Sequence, residues 1–230
     1  TPAFSAGFET APRPAAQNGY GWTYAQTSGG GDAVGVVSGF ARTGSYSLKF
    51  TYGGNLDRCD DAFAEQRFTL GENLPEAWFE YYVFLPSGVE GVGPKFRHRA
   101  PSSCSGGDWP NASNNKWFAV WADSYSTDGN VQVAVEYERQ TDTTSYIRVL
   151  GMDGDARGME ATGTKHTSSM IDASMRGRWV RMRIHVKAST APGAFNGMVE
   201  VWSDDTMLYS LYNFDVAYAG GKNFFRNGYL

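Results

Sequence analysis

Apolar and polar residues alternate with a period of two through most of this chain, and the clearest case is "GRWVRMRIHVKAS" at 177–189. Val180, Met182, Ile184 and Val186 fall on one side, while Trp179, Arg181, Arg183, His185 and Lys187 fall on the other. Side chains alternate across a pleated strand, so this pattern describes an apolar stripe backed by a basic row. The same reading separates Glu65, Arg67 and Thr69 from Ala64, Gln66, Phe68 and Leu70 in "AFAEQRFTL". In "WFEYYVFL" it sets Trp78, Glu80, Tyr82 and Phe84 against Phe79, Tyr81, Val83 and Leu85. In "MVEVW" Glu200 and Trp202 stand opposite Val199 and Val201.

Segments of this kind, bounded by Gly, Pro, Asn or Asp, predict strands near 33–40, 46–52, 62–70, 78–84, 116–122, 131–139, 145–149, 179–187, 198–202 and 207–212. Helical periodicity is nearly absent; only 168–175 suggests a short helical turn. Even spacing of so many strands argues for an all-β fold, a two-sheet antiparallel sandwich or jelly roll. The stretches 86–115 and 151–175 read as long loops. At 230 residues the whole chain is expected to be one domain. Its last segment, "NFFRNGYL", looks like the beginning of a strand, which suggests that a natural closing strand is missing.

Composition narrows the partners. A net charge of −4 lacks the basic footprint of nucleic-acid binding. No apolar run is long enough to span a bilayer as a helix. With neither an initiator Met nor a signal-peptide pattern in "TPAFSAGFET", the chain is expected to be processed, trimmed or part of something longer. Cys59 and Cys104 sit in polar, turn-like settings, "DRCDD" and "SSCSGG", which favours a disulfide and an oxidising, extracellular compartment. Such a bridge restricts the unfolded chain by about 4 kcal/mol. Spacings for a zinc site, a nucleophile elbow or a phosphate loop are not found. No resident cofactor or metal is expected; a structural calcium is the open alternative, with Glu9, the group Asp57, Asp60 and Asp61, and the pair Asp153 and Asp155 as candidate ligands.

Aromatic residues make up 15% of the chain, and several outward strand faces mix them with charge. Two readings compete. Such a face suits a polysaccharide, because rings stack on aromatics and acidic sugars meet cations. Alternatively, Arg and Lys simply pair with Glu across strands. The row of Arg181, Arg183, His185 and Lys187 favours the first reading, since like charges side by side call for an anionic partner. Candidate substrate-binding residues on these faces are therefore Arg67, Tyr82, Arg181, Arg183, Lys187, Glu200 and Trp202.

The succession "GSYSLKFTY", "AEQRF", "WFEYYVFLP", "NNKWFAVWADSYS", "GRWVRMRIHVKAS" and "FNGMVEVW" resembles the concanavalin-A-like jelly roll of polysaccharide-lyase-related proteins, the group that includes heparin lyase and glucuronan lyase, and phage and marine bacterial relatives. The likeness runs from about residue 44 to 229. It implies β-elimination on a uronate polymer, for which Gln66, Arg67, Lys116 and Arg183 are candidate substrate-binding residues and His185 the candidate base, with Lys222 and Tyr229 loosely matching the Lys-to-Tyr segment near the end of such lyases. The Gln-x-His and Arg-x-Glu elements of alginate lyases are not found. The leading expectation is thus an extracellular or virion-surface domain that binds an anionic polysaccharide. A working lyase is the first alternative, and a structural decoration or fibre domain assembled into a larger surface is the second.

Overall fold

The computed structural model describes residues 5–9, 21–27, 33–51, 64–85, 116–123, 131–139, 145–153, 156–160, 163–166, 175–216 and 222–230. Among these residues every regular element is a strand, as the two-residue period predicts. The candidate disulfide cysteines, Cys59 and Cys104, lie outside the described residues, as do Asp57, Asp60, Asp61 and Asp155.

The chain forms two compact units. The first holds strands β1 (Gly21–Thr27), β2 (Ala33–Ser38), β3 (Tyr46–Thr51) and most of β4 (Ala64–Leu74). There β1 lies antiparallel to β4, and β2 to β3. On β4, Ala64, Gln66, Phe68 and Leu70 are buried, as the alternation predicts. Trp22 of β1 meets Phe68 edge to face at 6.0 Å and stacks on Phe8. Just beyond β14 (Phe225–Tyr229), Leu230 exchanges two backbone hydrogen bonds with Gln66, of 2.9 and 3.1 Å. Glu9, one of the candidate calcium ligands, accepts hydrogen bonds from the backbone N–H groups of Ser45 and Tyr46 at 3.0 Å and so ties the β2–β3 connection to the N-terminal segment.

The second unit is a sandwich. One sheet runs β6 (Lys116–Trp121), β7 (Val131–Arg139), β8 (Ser145–Asp153) and β9 (Ala156–Glu160). The other is ordered β10 (Thr164–Lys165), β13 (Thr206–Phe214), β12 (Gly197–Ser203), β11 (Trp179–Lys187) and β5 (Glu76–Phe84). Their inner faces meet where Phe79 of β5 packs on Phe118 of β6, ring centroids 4.7 Å apart. Val180, Met182, Ile184 and Val186 of β11 are wholly buried. Burying each stabilises the sandwich by about 1.5–3 kcal/mol.

Four elements depart from the sequence reading. β1 was not foreseen. β8 continues through Gly151, which looked like a strand end, because Gly151 still pairs with Val133. The stretch 151–175 carries β9 and β10, so it is not one long loop.

Phe118 has no exposed surface. Phe118→Ala is expected to destabilise the protein by about 3–5 kcal/mol in urea denaturation, since the cavity adds to the lost transfer energy.

Candidate functional site

The outer face of the five-stranded sheet collects most of the sequence-selected residues. Strand β11 sits between β5 and β12, and register decides who meets whom. Arg181 lies opposite Tyr82, and Arg183 lies between Glu80 and Trp202. His185 lies between Trp78 and Glu200, and Lys187 between Glu76 and Met198. The basic row is therefore flanked by aromatic and acidic side chains on both neighbouring strands.

At the centre is a stack. Trp78 lies flat on the His185 ring, 3.9 Å between centroids, and reaches Trp202 at 5.5 Å with 21° between planes. Trp78 is 59% exposed, whereas His185 beneath it is only 4% exposed. Each imidazole nitrogen faces a carboxylate: Nε2 lies 2.7 Å from Glu76 Oε1, and Nδ1 lies 3.0 Å from Glu200 Oε2. Tyr212, 49% exposed on β13, donates its phenol proton to the other Glu200 oxygen. That hydrogen bond holds the Tyr212 phenol above its ordinary pKa. The imidazole thus stands as a strut under an indole platform, roofed by Trp78.

The two arginines face the β12–β13 turn, which consists of Asp204 and Asp205. Asp204 adopts a left-handed backbone (φ 51°), a conformation Asp tolerates better than most residues. Its carboxylate accepts hydrogen bonds from the Arg181 backbone N–H at 3.1 Å and from Arg178 Nη1 at 2.9 Å. Burial raises its pKa, but those hydrogen bonds and the charges of Arg178 and Arg181 outweigh burial, and the group lies below its ordinary value. Asp205 pairs with Nη2 of Arg181 and lies 3.5 Å from Nη2 of Arg183. Arg183 also spreads over the Trp202 ring, 5.5 Å from its centroid. The row that seemed to need an outside anion is answered by carboxylates of its own chain.

A smaller group lies on the first unit. Arg67 donates to Glu65 through Nε and Nη2 at 3.3 and 3.1 Å, and to the Tyr24 hydroxyl through Nη1 at 3.0 Å. Gln66, selected as a binding residue, faces inward with no exposed surface, and its amide donates to the carbonyls of Tyr24 and Arg67. Tyr229 is also buried, 2% exposed. Lys222 pairs with Asp123 at 2.9 Å. Lys116 begins β6, opposite Glu136 in register.

Trp78, Glu76, Tyr212 and Asp205 were not among the selected residues. Alternation pointed Trp78 outward, but only strand pairing reveals that it roofs His185.

The alginate lyase vAL-1 from Chlorella virus superposes with a TM-score of 0.57 at 9% identity, over 92% of this chain and 82% of that one. The two share a fold. That fold is the jelly roll that the motif order implied. An endo-β-1,4-glucuronan lyase from the fungus Trichoderma reesei gives a TM-score of 0.46 at 12% identity, over 96% and 82% of the two chains. The alginate lyase Aly36B gives 0.46 at 10%, over 72% and 62%. No protein-family model and no curated protein sequence matches the chain.

Folding lowers the Asp204 pKa, so its contribution to stability is complete above the unfolded carboxyl value, about 3.9, and fades as pH falls through the folded value. Asp204→Asn keeps the turn conformation and removes the charge. The stability gap between the two proteins, measured by urea denaturation, is expected to be widest near neutral pH and to narrow steadily as the medium is acidified below about 3.9.

Proposed function

We propose that this protein binds a uronate-containing polysaccharide along the outer face of the five-stranded sheet. The observation that carries the reading is the Trp78–Trp202 stack, in which the exposed Trp78 indole lies nearly parallel to a half-buried Trp202 that carries Arg183 over its ring. A pyranose ring offers one apolar face of C–H groups, which packs on indole, while its hydroxyls bond to side chains around the rim. Arg181, Arg183 and Lys187 supply cations for a uronate, and the exposed Glu80 supplies an acceptor for hydroxyls. His185 belongs under the platform, where it holds Trp78 in place. Such polymers are met outside cells, so the reading carries an extracellular or virion-surface location with it.

The fold shared with an alginate lyase favours a second reading, β-elimination. That chemistry requires neutralising the uronate carboxylate, removing the adjacent proton and protonating the leaving oxygen. Arg67 beside the half-exposed Tyr24 is the described pair best suited to begin it.

Trp78→Ala is expected to weaken binding to alginate or glucuronan oligosaccharides about tenfold in calorimetry, which corresponds to about 1.4 kcal/mol and is comparable to the stacking and burial of one aromatic ring. Unchanged affinity would sink the platform. The same mixtures followed in the ultraviolet separate the two readings. Accumulating unsaturated product that disappears in Tyr24→Phe supports elimination, whereas binding with a flat trace supports a binding module.

A further inference from the structure

We infer that Asp205 is a built-in stand-in for the sugar carboxylate, occupying an arginine fork that a uronate takes over when polysaccharide binds. The inference rests on the binding reading above and adds to it a carboxylate subsite together with the residue that competes for it.

Three observations carry it. First, the two guanidinium groups converge. Arg181 and Arg183 point the same way from β11, and both bring Nη2 to one Asp205 carboxylate oxygen. Two cations aimed at a single oxygen form a fork for an oxyanion.

Second, the present occupant is loosely held. Asp205 is 86% exposed, whereas Arg181 and Arg183 are 26% and 30% exposed. Exposed ion pairs contribute little because water and salt screen them. Asp204, its neighbour on the same turn, is held quite differently, by a backbone N–H and Arg178. The turn therefore has one carboxylate that fastens it and one that only reaches the fork.

Third, Arg183 is incompletely served. Its Nη2 contacts to Asp205 and to the Asp204 carbonyl are 3.5 and 3.4 Å, at the long edge for hydrogen bonding. Its Nε is buried without a hydrogen bond. A carboxylate carried by a ring packed on the exposed Trp78 would approach Arg183, because that guanidinium lies over Trp202, the indole stacked with Trp78. The chemistry of the ligand follows from the group now present: a carboxylate, in preference to a neutral hydroxyl.

The decisive experiment is calorimetric titration of the wild type, Asp205→Asn, Arg183→Gln and Glu72→Gln with glucuronan and alginate oligosaccharides, dextran sulfate and neutral dextran. Glu72 is an exposed carboxylate on the other unit and controls for overall charge. Removing the competitor is expected to tighten uronate binding about two- to fivefold, the scale of one exposed ion pair. Glu72→Gln and dextran binding are expected not to change, and Arg183→Gln is expected to weaken uronate binding. A rise for dextran sulfate equal to that for uronate would replace the carboxylate assignment with a general oxyanion site and so overturn it. Uronate affinity that is unchanged or weaker in Asp205→Asn, or raised equally in Glu72→Gln, would overturn the stand-in while leaving polysaccharide binding intact. If neither the wild type nor Asp205→Asn binds any of the polymers, the binding reading falls as well. Asp205→Ser, judged by the same criteria, covers the case in which Asn weakens the turn.

Discussion

The position of β11 between β5 and β12 is the constraint from which the outer face follows. Val180, Met182, Ile184 and Val186 are fully removed from water, and a slip of one residue would turn all four outward. Their burial fixes the register, and the register places His185 between Trp78 and Glu200 and Arg183 between Glu80 and Trp202. The indole platform is thus rigid for reasons located on the opposite side of the sheet. Its groups are held by the core, so little further ordering would be needed for the proposed ligand to bind.

Charge on that face is arranged in two grades. Asp204 and the pair Glu76 and Glu200 are built into the architecture: the first fastens the turn to β11, and the other two grip the imidazole under Trp78. Asp205 reaches its arginines from solvent and adds little to the fold. The difference arises from geometry at adjacent positions of one turn. Asp204, in a left-handed conformation, directs its carboxylate back onto backbone, while Asp205 projects beyond it.

Local pattern was enough to reveal which way most side chains point. The inward stripes of β4, β5, β11 and β12 lie where alternation placed them, because burying one face of a strand is a local requirement visible in every second residue. The neighbours of each strand were not legible. Strand β5 pairs with β11 across about a hundred residues of chain, so no window of sequence contains both Trp78 and His185. That is why the basic row looked uncompensated: its carboxylates come from β5, β12 and the turn after β12. Gln66 misled for a related reason. The lyase resemblance suggests that it meets a sugar carboxylate, yet its amide satisfies backbone carbonyls in the interior. Gly151 misled because glycine marks both strand ends and strand interiors, and only pairing distinguishes them.

On the proposed function, an acidic protein would recognise an acidic polymer against a general repulsion. With a net charge of −4, long-range attraction cannot bring a polyuronate to this surface. Recognition has to act at short range, within the screening distance of about 8 Å at physiological salt. An exposed aromatic platform with two guanidinium groups beside it would meet that requirement, since stacking is insensitive to net charge and the fork acts only on contact. Keeping the fork occupied by Asp205 when no polymer is present also leaves no bare pair of cations to attract unrelated anions. Selectivity then comes from requiring a ring on the indoles and a carboxylate at the arginines together, because either contact alone is weak.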